Sequence, residues 1–192
     1  MIKGRPILTL AAAVALCLML CLTAAGCGSK AKEYAGDARS SYISAKAVLV
    51  GLRKFPVEME ALLRSENLET VKEDAAVLTD DANNLINSSA AAFRDCGEKC
   101  ELLKSEGDMD FDPYADMLLE LVGLNEQIIN SYSEFISFSS SLAERIPYHG
   151  NPQSLMPTLD NMDELSLRIE ELDGQVKQLE QQAEDLYRTL VE

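Results

Sequence analysis

Cys96 and Cys100 have three residues between them, so on a helix they share one face a turn apart. Three chemistries suit that pair. The thiols can pack as small hydrophobes. They can close a local disulfide in an oxidising compartment. The Cα atoms would then lie about 6 Å apart, near the upper end of the allowed range, with Gly97 between them to relax the helix. Or they can open a redox or metal site, although zinc takes four ligands and there is no second Cys or His pair. A second candidate is the run from Glu106 to Asp112, where Asp108, Asp110 and Asp112 alternate like the opening of a calcium loop. Pro113 stands where that loop needs glycine, and Leu119 where it needs a bidentate Glu. The competing expectation is a solvated acidic loop in which Asp112 caps a helix. His149, the sole histidine, sits among turn residues with no nucleophile beside it. Tyr132, Phe135 and Phe138 have the spacing of a helix face and read as core. The third helical seam also carries two polar residues, Asn125 and Ser139.

The elements that hold these residues are helical. Met162, Leu165, Ile169, Leu172, Val176, Leu179, Ala183, Leu186 and Leu190 step by three and four, a heptad seam. Leu68, Val71, Ala75, Leu78, Ala82, Leu85, Ser89, Ala92, Cys96, Lys99 and Leu103 keep the same rhythm, with Thr70 and Glu73 spaced as a capping box. Asp112-Pro113 reads as N-cap and first helical residue of the most apolar stretch. Ala31, Ala35, Ala38, Tyr42, Ala45, Leu49 and Leu52 form the first stretch, which Phe55-Pro56 should break near Lys54. Short breaks at 65–67, 105–111 and 147–153 join antiparallel neighbours. The pattern predicts an all-α, elongated, antiparallel bundle of four helices with coiled-coil-like seams. The helices are expected at about 30–64, 68–104, 113–146 and 155–191. Each is roughly 50 Å long at 1.5 Å per residue.

Seventeen bases face 32 acids, for a net charge of −15. That balance opposes non-specific binding to nucleic acid and a body lying flat on anionic lipid. Trp is absent and Gly and Pro are few, which disfavours a β-sandwich.

The N-terminus reads as an address. Lys3 and Arg5 precede an apolar run from Ile7 to Leu22, broken only by Thr9, and then Thr23-Ala24-Ala25-Gly26-Cys27. This resembles the lipobox of bacterial lipoproteins, with Ala24 where leucine is commonest. The resemblance implies a signal peptide over 1–26, diacylglyceryl transfer to the Cys27 thiol and cleavage after Gly26. It covers the signal and Cys27 alone. The alternative is an uncleaved membrane helix, since Ile7 to Ala25 is 19 residues long. Either way the helical domain, 27–192, is expected at the cell membrane on its extracytoplasmic side.

No catalytic set and no cofactor site stands out. The functional expectation is a lipid-anchored, non-enzymatic binding or scaffold module that contacts a protein partner through helical surface. It is expected to be monomeric, because the flanks of the last seam carry few charges to specify a second chain. From another class comes a small-ligand or sensing bundle with an internal pocket, at which Asn125 and Ser139 hint.

Overall fold

The computed structural model describes residues 30–64, 70–146, 150 and 152–191. Helix α1 covers 30–50. A 3-10 turn, Gly51–Lys54, tightens the chain before α2, Phe55–Leu63, which carries Pro56 in its first turn. Proline lacks an N–H and fits where the helix has no partner for one. The break near Lys54 therefore reorients one rod without ending it. Helix α3 is Val71–Ser105, α4 is Asp112–Glu144, and α5 is Met156–Val191 after a second 3-10 turn, Pro152–Leu155. The result is an all-α, four-rod bundle, with no strand among the described residues.

Cross-links between the rods fix their directions. Lys32 Nζ donates to the Val191 carbonyl (3.2 Å) and Arg53 to Asp173 (2.7 Å), so α5 runs antiparallel to α1. Ser41 donates to Asp95 at 2.7 Å, while Gly51 lies against Leu85, so α3 is antiparallel to α1 as well. A Cβ at Gly51 would come within 3.2 Å of the Leu85 side chain, so glycine permits this approach. Helix α4 packs on both α3 and α5. It runs parallel to the first rod, with Tyr42 near Asn125 and Phe55 edge-on to Phe135.

Helix α4 supplies the most buried residues, as its apolar sequence predicts, among them Tyr114, Leu121, Ile128 and Ile136. Opposite it, α1 contributes Ala31, Ala35, Ala38 and Ala45, all fully buried. Small faces against bulky ones let the rods approach and interdigitate. Phe93, also fully buried, packs edge-to-face on Tyr42 at 6.1 Å. The seam of α5 is buried at Leu165, Ile169, Leu172, Val176 and Ala183, and only partly at Met162, Leu179, Leu186 and Leu190.

Two caps differ from expectation. Thr70 holds the N-cap position of α3 but makes no side-chain cap hydrogen bond, so the box with Glu73 does not form. Helix α4 starts one residue earlier than predicted, with Phe111 at the N-cap and Asp112 in the first turn. There Asp112 still opposes the positive end of the helix dipole. Gly107, at φ 74°, ends α3 in the left-handed conformation that favours glycine. No helix of the described residues is long and apolar enough to cross a membrane.

Candidate functional site

A row of part-exposed charged pairs joins the first rod to α5. Three cations of the first rod, seven residues apart, reach across to acids of α5: two from α1 and Arg53 from the 3-10 turn. Arg39 donates twice to Glu184, at 2.9 and 3.1 Å, Lys46 donates to both oxygens of Glu180, and Arg53 pairs with Asp173. The bidentate arginine pair has the strongest geometry of the three. Asp173, on the flank of the α5 seam, is thus used within the bundle. Behind this ladder, the Tyr42 hydroxyl donates to Glu180 Oε1 at 2.7 Å. The Asn125 amide donates to the Leu121 carbonyl at 2.7 Å and toward the Tyr42 oxygen at 3.4 Å. Burial, reinforced by Glu180, pushes the Tyr42 hydroxyl far above the ordinary phenol range.

Between the Arg39 and Lys46 pairs the surface sinks into a cleft of about 340 Å³. Its floor is Tyr114, Leu118 and Leu121 of α4, with Ala183 on one wall and half-exposed Ile43 on the other. The opening arises because Ala183 is small where most of the α5 seam is Leu, Ile or Val. Tyr114 stacks at a tilt on Tyr187, 5.3 Å between centroids, and Arg39 lies 5.0 Å over the Tyr187 ring. Burial also raises the Tyr114 hydroxyl, against the pull of Arg39.

A second depression, about 510 Å³, lies at the α2 end of the molecule. Met59, Leu63, Phe135, Leu142, Leu159 and Met162 give it an apolar lining, and Glu60, Arg64 and Asp163 lie around it. Leu159 is exposed, as is Met156 in the same first turn of α5.

Cys96 and Cys100 are free, fully buried thiols on the α3 face that meets the alanines of α1. Cys96 Sγ lies 3.7 Å from the Ala38 carbonyl. The neighbouring Cys96 thiol, with burial, holds the Cys100 thiol well above its usual range. Helix α3 continues unbroken past Gly97, which has open space around it. In the acidic loop, Asp108 Oδ1 accepts from the Asp110 backbone at 3.3 Å and the Asp108 carbonyl accepts from Phe111. Asp108 and Asp110 therefore form a turn, and Asp112 begins α4. Among the described residues, no group of three or more His, Cys, Asp or Glu could hold a metal ion. Ser139 is spent on the Phe135 carbonyl, whereas Asn125 joins the Tyr42–Glu180 network. Tyr132 and Phe135 are core, as expected, and Phe138 packs on the core from partial burial. Cys27 and His149 lie outside the described residues.

The α1–α5 ladder went unnoticed in the sequence, although its signal was there. Arg39, Lys46 and Arg53 repeat every seven residues, as Asp173 and Glu180 do. No protein-family model, curated protein or solved structure matches this chain.

Proposed function

We propose that this chain is a lipid-anchored, extracytoplasmic docking module that acts without catalysis, holding a protein-binding groove away from the membrane. The observation that carries the reading is the apolar groove at the α2 end, lined by Met59, Leu63, Phe135, Leu142, Leu159 and Met162. It lies at the opposite end of the first rod from residue 30, and residue 30 follows Cys27 by three positions. An acyl chain on Cys27 would hold that start at the bilayer, stably if more than one chain is attached. A rod of this length then lifts the groove roughly 50 Å above it. Methionine and leucine around a concave floor suit an apolar anchor side chain, such as one on an amphipathic helix. A chain of net charge −15, whose first 26 residues hold bases but no acid, has a strongly acidic body that steers basic surfaces toward it, so the partner is a protein whose apolar anchor is flanked by Lys or Arg.

The test is photo-crosslinking in intact cells. A photoreactive residue at Leu159 should give one discrete protein adduct, weakened by Leu63→Glu. The same residue at Val77, exposed on α3, should give none. Equal adducts from both positions, or none from Leu159, would refute docking through this groove.

A further inference from the structure

We propose that the α1–α5 cleft is a binding site for a small organic cation: a primary amine or guanidinium carrying a compact apolar body. This site shares no lining residue with the groove, lying between the same rods but nearer residue 30, and its occupancy does not depend on the lipid anchor. The volume, about 340 Å³, is at the small end of ligand pockets and suits a body of one ring or a short branched chain. Tyr114, Leu118 and Leu121 offer it an apolar, aromatic floor.

Arg39, Lys46, Glu180 and Glu184 all line the opening, so the sign of the charge follows from which of them is held and which can move aside. Glu180 is already oriented by the Tyr42 hydroxyl, which Asn125 holds from behind, so a carboxylate stands preorganised at the edge of an apolar cavity. Tyrosine ring faces carry negative potential and favour cations. Arg39 over Tyr187 shows the preference being used within the chain. The field of the whole protein adds to it, since a net charge of −15 concentrates cations and repels anions. An anionic ligand would have to work against both and would also have to strip Arg39 or Lys46 from its partner. A cationic ligand displaces only Lys46, whose long flexible side chain is about a third exposed and can turn into water. Lys46 is thus an internal competitor for the ligand's place on Glu180.

That competition makes the test specific. Isothermal titration of the detergent-solubilised full chain would use 2-phenylethylamine as the cationic probe and 3-phenylpropionate as the anionic one. The amine should bind saturably and the carboxylate should not. Glu180→Gln should weaken amine binding on the order of tenfold or more, as expected for loss of a charge-assisted hydrogen bond. Lys46→Met should strengthen it several-fold by removing the competitor. Ala183→Leu should abolish it by filling the cleft, with far-UV circular dichroism confirming the fold. Glu180→Gln, which keeps size and shape, decides the matter if Ala183→Leu does not fold. The proposal is overturned if the amine shows no saturation, if the carboxylate binds as well, or if Lys46→Met weakens binding.

Discussion

Replacing Tyr42 by Phe would remove one oxygen atom from the centre of the bundle and leave its packing on Phe93 intact. The ring is 6 % exposed, and its hydroxyl donates to Glu180 at 2.7 Å. Its loss leaves Glu180 with Lys46 and Asn125 with the Leu121 carbonyl. A hydrogen bond to a charged group contributes about 1.5–3 kcal/mol. The Glu180 side chain is 21 % exposed, so water recovers part of that. The expected loss is therefore about 1–2 kcal/mol. For a domain of this size each kcal/mol lowers the melting temperature by about 2–4 °C. Urea unfolding at pH 7, followed by far-UV circular dichroism, measures the cost. Repeating Tyr42→Phe in a Glu180→Gln background isolates the pair, with a coupling on the order of 1 kcal/mol expected. A neutral or stabilising Tyr42→Phe, or strictly additive effects, would refute the network on which the cleft's chemistry depends.

Three further outcomes are expected. Ser89 is fully buried in α3 with no partner for its hydroxyl among the described residues, whereas Ser139 donates to the Phe135 carbonyl at 2.8 Å. Ser89→Ala should therefore stabilise by about 1 kcal/mol through relief of desolvation and better helix propensity, with Ser139→Ala near neutral or destabilising; the reverse order in urea midpoints would be wrong for this packing. Burial raises the hydroxyls of Tyr42, Tyr114 and Tyr132. A raised folded-state value means that stability is intact below pH of about 10, where free tyrosine begins to ionise, and is lost above it. Absorbance at alkaline pH should show these three ionising only as helix content falls, and full ionisation with the helices intact would contradict it. Cys96 and Cys100, as buried free thiols, should resist iodoacetamide in the folded chain and react in urea without reductant; an unreduced mass two hydrogens lighter would show a disulfide instead.

The rods were legible because the signal is local. Steps of three and four mark α3, α4 and α5, and Pro56 announces the tightening at Gly51–Lys54. The Ala-rich face of α1 and the apolar excess of α4 also indicated which surfaces would meet. The caps were harder, because Thr70 and Asp112 have the right chemistry and only the local backbone decides whether it is used. The cleft was hidden for a different reason. Ala183 looks like any seam residue in one dimension, and it leaves space only because Tyr114, Leu118 and Leu121 of α4 face it from below. Asn125 was visible as a polar residue on an apolar seam, but its connection to Tyr42 crosses 83 positions of sequence. The groove likewise gathers Met59, Phe135 and Leu159 from three rods.

The proposed display of the bundle from a membrane through Cys27 is tested most directly by a fatty-acid labelling experiment. Cells expressing the full chain would be fed a clickable fatty-acid analogue and fractionated, alongside the Cys27→Ala variant. The account predicts label on a processed wild-type chain in the membrane fraction. It predicts an unlabelled, uncleaved precursor for Cys27→Ala. Label and processing that persist in the variant, or a wild-type chain that takes up no label, would contradict it.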